Sequence, residues 1–295
     1  MKKPWAALAL IALIVAGQGA IGGAGGGCSR PSPPAAHPAL FVVRDSDTTV
    51  WLLGTIHLLP AGTRWQTPMI KQAVSSADTL VTEIPPLAPA AATAIFVAMG
   101  RAHGLAPLAM RVGPARAKML ASAAAAAGIS IDELAGMKNW AAALTLSAAL
   151  ARSTGATAQD APEAVLATRF RGRRHLAFET LAGQLALFDA LAPHDQLALL
   201  DAAATGAAQY RQALIAWRTG DMAAITRSTT PLARSAPAAE RSLLVERNGR
   251  WSGWIAARMA QPGKILVAVG AGHLAGPRSI IAMLRARGLS VARVE

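Results

Sequence analysis

Cysteine is all but absent: the 295 residues hold one, Cys28. No disulfide can form within the chain. Aromatic residues make up 4%, with a single tyrosine, which leaves little for stacking nucleic-acid bases. Acidic residues are also scarce, 16 against 29 lysines and arginines, for a formal charge of +13. That excess is arginine scattered along the chain, with one cluster at Arg169, Arg171, Arg173 and Arg174. Without a recognisable nucleic-acid module it reads as a solvated basic face, and no nucleic-acid partner is expected. Apolar runs of spanning length are missing too: about 20 residues are needed, and polar residues interrupt the Ala-rich stretches sooner. There is no H-E-x-x-H helix and no G-x-S-x-G elbow, which sets aside a standard zincin and an α/β-hydrolase serine mechanism.

What is present begins with an address. Lys2-Lys3 precede an apolar stretch from Trp5 to Ala16, then small residues follow. This has the order of an export signal, expected to occupy 1–27. Cys28 stands where a lipoprotein is acylated, although Gly25-Gly26-Gly27 lacks the usual aliphatic residue. Acylation and a lone tether thiol both remain open. Residues 28–38, rich in Pro, Ala and Ser, read as a flexible tether. The expected location is the periplasm, free or held to the envelope by a lipid anchor.

Residues 39–295 read as one domain. Leu40–Arg44 and Thr48–Leu53 flank Asp45-Ser46-Asp47 as a hairpin. Thr67-Pro68 opens a helix to about Ser76, and Thr79–Glu83 is a short strand, completing a βαβ-like unit. Helices are predicted at Pro114–Ala127 and from Ser130 to about Arg152, the latter opened by a capping box. A strand follows at His175–Glu179, then helices at Leu181–Leu191, Asp195–Thr219 and Ala238–Ala260, with Pro231–Pro237 as a loop. The strand Ile265–Gly270 leads into His273, and Leu289–Val294 makes the last strand. The fold class is α/β: a mixed, mainly parallel central sheet, pseudo-duplicated, with Ala-rich helical insertions forming a cap. The helical insert is placed at about 86–174.

Four strands end in chemistry: Gly54-Thr55-Ile56-His57, Glu83, Glu179 and Gly270-Ala271-Gly272-His273. Ligands of open parallel sheets bind just beyond the carboxyl ends of strands, so these four side chains are expected around one pocket. Imidazole and carboxylate together suit Zn²⁺, Mn²⁺ or Co²⁺. His37, His103, His175 and His194 are read as structural. Gly270–Ala275 also fits G-x-G-x-x-A, with Glu295 about twenty residues on, but no further strand follows to complete a dinucleotide domain.

Trp51–His57, Val81-Thr82-Glu83, Glu246-Arg247-Asn248 and Val269–His273 together resemble the TraB/GumN family, related to the TIKI proteases and the erythromycin-esterase and ChaN-like folds. Met137–Trp140, Phe178-Glu179-Thr180 and Gln184 are similar to further family positions. The resemblance runs from about Ala39 to Glu295. It implies an α/β sheet with helical insertions and a metal-dependent hydrolase, peptidase-like, using Mn, Co or Zn on a peptide or other small envelope substrate. His57, His273 and Glu83 match the shared motif and are the expected metal ligands. Glu83 is also the first choice for general base, with Glu179 the alternative. Arg247 is assigned to a developing oxyanion or a substrate carboxylate. The competing reading is a non-catalytic envelope protein that binds a peptide or polysaccharide.

Overall fold

The computed structural model describes residues 35–295. The leader, Cys28 and the first part of the tether lie outside the described residues. Asp45 turns the chain early: its Oδ1 accepts the backbone N–H of Asp47 at 3.1 Å and of Thr48 at 2.8 Å. This turn joins β1 (Leu40–Arg44) to β2 (Thr48–Thr55) as an antiparallel hairpin. The remaining strands are β3 (Leu59–Pro60), β4 (Thr79–Thr82), β5 (Ala156–Thr157), β6 (Arg174–Ala177), β7 (Gly263–Gly270) and β8 (Val291–Arg293).

Six of them form one sheet in the order β6-β4-β7-β2-β1-β8. β6, β4, β7 and β2 are parallel neighbours, and β1 is antiparallel to both β2 and β8. The mixed, mainly parallel sheet is therefore as expected, while the strand order does not show the expected pseudo-duplication. Successive residues face opposite sides of a strand, and the core divides accordingly. Leu53, Leu80, Leu266 and Ala268 pack with Ile70 and Trp217 on one face. Leu52, Val81, Ile265 and Val267 pack with Trp251, Ile255 and Leu284 on the other. Burial on both faces explains why these strands read as nearly unbroken apolar runs.

The cap is larger than the predicted insert. Phe96, Leu120 and Trp140, from between β4 and β6, share one core with Phe188, Leu199 and Leu243, from between β6 and β7. Trp140 anchors it, edge-on to Phe96 at 5.8 Å and stacked on Phe188 at 6.3 Å, with its Nε1 donating to Asp189. Gly100 permits a close helix approach to Ala141: a methyl group on it would stand 2.7 Å from the Ala141 Cβ. The helix predicted over Asp195–Thr219 is broken near Thr205 into Pro193–Ala204 and Gly206–Arg218. Most of the predicted loop at 231–237 is instead helical, because Met222–Ser235 continues through position 231; only Ala236 interrupts before the next helical turn opens at Pro237. A π-helical turn, Arg241–Val245, then leads directly into the Glu246–Arg258 helix. Among the described residues no helix is long and apolar enough to cross a membrane.

Candidate active site

Because β2, β4, β6 and β7 run the same way, His57, Glu83, Glu179 and His273 all emerge at one edge of the sheet. Thr55 pairs in register with Gly270, and Thr82 with both Ala268 and Ala177. The hub is Gly270. A methyl group there would stand 3.2 Å from Glu83 Oε1, 3.7 Å from His273 Cδ2 and 3.8 Å from His57 Nε2. Its φ of −49° and ψ of 134° suit any residue, so glycine is required for space and not for backbone conformation. Gly54 has a similar task, since a methyl group on it would lie 3.1 Å from the Ala271 Cβ.

Behind this hub lies a buried charge network centred on Arg247. Its Nε donates to both Glu179 oxygens at 3.0 Å, and its Nη2 to Glu83 Oε2 at 2.8 Å. Nη1 donates to the Leu243 carbonyl at 3.0 Å and lies 3.3 Å from His273 Nε2. The guanidinium also lies over the Trp251 ring at 4.5 Å. Arg247, Asn248, Trp251 and Ile255 share one buried face of their helix, which explains how adjacent residues reach one site.

Asn248 sets the state of His273. Its Nδ2 donates to the Arg278 carbonyl at 2.8 Å, so its Oδ1 faces His273 Nδ1 at 2.6 Å. His273 must therefore carry its proton on Nδ1, leaving Nε2 as the acceptor facing Arg247. Complete burial disfavours its charged form; Arg247 and His57 reinforce this against the opposing pull of Glu83, and the pKa falls to about 3. Burial alone would raise the Glu83 pKa, but His273, Arg247 and His57 surround it and Gly270 N–H donates at 2.7 Å, holding it at about 2. With His273 neutral near pH 7, Arg247 and His57 carry that charge. Gln184 supplies Glu83 with a third hydrogen bond, at 3.0 Å.

In front of the hub a pocket of about 240 Å³ opens, lined by His57, Glu83, Thr82, His175 and Glu163, with apolar walls. His57 Nδ1 lies 2.7 Å from Glu163 Oε1. The N–H is poorly aligned with that oxygen, which instead takes the Thr55 hydroxyl at 2.5 Å, so attraction between charges couples the pair. Burial opposes protonation of His57, yet the Glu163 charge, helped by Glu83, outweighs it and raises the pKa to about 9. His175 lies on the same pocket in the opposite condition, its pKa lowered by burial. The Thr82 hydroxyl donates to the Ile84 carbonyl at 2.7 Å, so at 2.9 Å it must accept from His175 Nε2. Nδ1 of His175 is then the unprotonated nitrogen.

Residues 39–293 match the TraB/PrgY/gumN family across most of the sequence. The chain belongs to that family. No curated protein and no solved structure matches it. The two G-x-x-H segments are the exits of β2 and β7, the two central strands that deliver His57 and His273.

The expected metal trio divides between two layers. His57 and Glu83 line the pocket; His273, Glu179 and Arg247 do not. One feature suits an ion: each imidazole has Nδ1 against an oxygen, the arrangement that orients metal-bound histidines. Yet Arg247 fills the space at His273 Nε2 and binds Glu83, and Glu83 already accepts three N–H donors. Among the described residues no group of three His, Cys, Asp or Glu side chains could hold an ion. As arranged, the donor set does not fit a resident divalent metal; the cation at its centre is a guanidinium. Three donors and a pKa of about 2 also make Glu83 a poor base. Arg247, with every donor group engaged behind the pocket, is not placed to meet a substrate oxyanion.

Sequence reasoning did not single out Glu163, and it read His175, which also lines the pocket, as structural. Glu163 sits in the first turn of the Pro162–Arg169 helix, where a carboxylate ordinarily answers the helix dipole. His175 pairs opposite Leu80 inside β6 and carries no local sign of function. Glu295 does not hold a ribose: it meets His37 Nδ1 at 2.6 Å and the Thr67 hydroxyl at 3.2 Å.

Proposed function

We propose that the chain is a hydrolase of carbonyl compounds, amides or esters, working by general acid–base chemistry between His57 and His175. One observation carries this reading: two imidazoles line a single pocket, and their surroundings push their proton affinities in opposite directions. Such divergence is the pattern of an acid and a base sharing one reaction. Water attacks the substrate carbon while its proton passes to His175. The negative charge arising on the carbonyl oxygen faces the protonated His57, and collapse of the tetrahedral species breaks the bond to the leaving group, which takes the His57 proton. Glu163 and Glu83 stabilise the imidazolium, and Arg247 fixes Glu83 and Glu179 behind it.

The test is turnover of p-nitrophenyl butyrate and leucine p-nitroanilide by purified mature protein, with and without EDTA. Turnover that survives chelation, and falls 10²-fold or more in H57Q and H175Q alike, is the expected result. The metal-dependent version of this reading is supported by the Nδ1-anchored rings of His57 and His273. Activity lost on chelation and restored by Mn²⁺, Co²⁺ or Zn²⁺ would establish it over the metal-free one. Intact ligand binding with no turnover on either substrate would favour the non-catalytic envelope protein. The proposal includes export, with Cys28 acylation as the anchor; C28A should then move the protein from the membrane to the soluble periplasmic fraction.

A further inference from the structure

The pocket has two kinds of wall. Its polar groups come largely from the ends of the strands, where Thr82, Glu83 and His57 stand. The helical insert supplies the remainder: Pro85, Pro86 and Leu87 on one side, Ala161, Ala164 and Ala167 on the other. Proline has no N–H to offer, and alanine has no polar side-chain atom. Gln159 and Glu163, the latter turned to His57, are the polar exceptions on that side, and no lysine or arginine lines the pocket. With water occupying about 30 Å³, the 240 Å³ cavity holds about eight water-sized units, or a similar number of methylenes. That is below the size of a drug-sized ligand site.

A substrate group entering here loses water along its length and finds most of its hydrogen-bond partners near the sheet edge. A carboxylate head would lie against Glu83 with no lysine or arginine in the pocket to answer it, and an ammonium head would find the Glu83 oxygens already held by Gln184, Arg247 and Gly270 and Glu163 Oε1 by Thr55. A neutral carbonyl meets neither obstacle.

We propose that this pocket is an acyl subsite for a neutral, unbranched aliphatic chain of roughly four to eight carbons whose carbonyl lies at His57. The inference rests on the hydrolase reading for the direction of the substrate, but the binding it requires does not depend on turnover. Chain length sets affinity: each buried methylene tightens binding about fourfold until the pocket is full.

The experiment measures dissociation constants of the full mature chain for butanamide, hexanamide, octanamide and dodecanamide by ligand-observed NMR. Hexanoate, hexylamine and N-acetyl-leucinamide serve as comparisons. Expected is a steep rise in affinity from butanamide to octanamide, a plateau or fall at dodecanamide, and at least tenfold weaker binding of the two charged analogues. Ala164→Phe should fill the cavity and weaken octanamide at least tenfold. Ala164→Leu, a smaller intrusion, covers the case in which the phenylalanine variant fails to fold. A flat series, equal binding of hexanoate or hexylamine, or unchanged affinity in a folded variant would overturn the assignment. Tighter binding of N-acetyl-leucinamide than of hexanamide would also overturn it, by giving the pocket to a peptide side chain. Amide binding as expected, without hydrolysis of octanoyl p-nitroanilide, would sink the hydrolase reading and leave the subsite standing.

Discussion

Replacing Glu163 with glutamine tests the pocket-side half of the site without reference to any substrate. His57 is buried, and its pKa stands near 9 because Glu163 Oε1 lies 2.7 Å from Nδ1. In the unfolded chain that proton leaves near pH 6.5. Below 6.5 both states hold it and the full stabilisation is present. Between 6.5 and 9 only the folded state holds it, so stability is lost as pH rises through this window. A shift of about 2.5 pH units at about 1.4 kcal/mol each makes the total loss roughly 3 kcal/mol, a large part of a typical domain's 5–15 kcal/mol. Urea unfolding followed by tryptophan fluorescence, in half-unit steps from pH 6 to 9.5, reads this slope directly. In E163Q the largest favourable charge is gone, burial prevails, and the decline across the window should vanish. Groups that titrate alike in both states add no slope. A decline in E163Q as steep as in the wild type would refute the pairing and, with it, the assignment of His57 as the acid.

His273 governs the acid side. Its folded pKa is about 3, so as pH falls from 6.5 towards 4.5 the unfolded chain takes up a proton that the folded one refuses, and stability drops; H273Q should flatten that limb in the same unfolding series. Removing Arg247 as R247M takes the guanidinium from buried Glu83 and leaves Glu179 only the longer 3.4 Å pairing with Arg250, and should cost about 3–5 kcal/mol in urea unfolding at pH 7; a loss under 1 kcal/mol would mean that the network is not buried in solution. G270A should remain folded, with thermal midpoint little changed, while the His57 and His273 ring resonances shift and turnover falls at least tenfold, because the new methyl would press on Glu83 at 3.2 Å.

The strands were legible for a physical reason: a parallel strand buried on both faces is a dense apolar run, and its end is marked where chemistry resumes. That is why His57, Glu83, Glu179 and His273 could be assigned to one sheet edge before any coordinates, although only His57 and Glu83 of the four line the pocket. Arg247 and Asn248 were visible through family resemblance, but their roles depend on distances that no local pattern encodes. Glu163 was invisible because its partner lies 106 positions away and its own neighbourhood is an ordinary helix start. The metal expectation arose from residue types and from the family resemblance; only the structure places a guanidinium among them. The cap's true extent was hidden because alanine contributes little to helical periodicity, so a core assembled from two separate insertions looked like one.

The π turn at Arg241–Val245 gives the site an unusual kind of fragility. Such a turn takes up one residue more than the helix around it needs. In an α-helix each residue advances the direction of the next by about 100°. Removing a single residue from 241–245 would let the helix relax into regular form, with better backbone hydrogen bonding than before. The same relaxation would swing everything beyond it by about 100°, carrying Arg247 away from Glu83 and Glu179 and Asn248 away from His273. Along this stretch the active arrangement and the most comfortable helix are different structures one residue apart. A shortened sequence would therefore fold readily while its buried acids lost the guanidinium of Arg247 from between them.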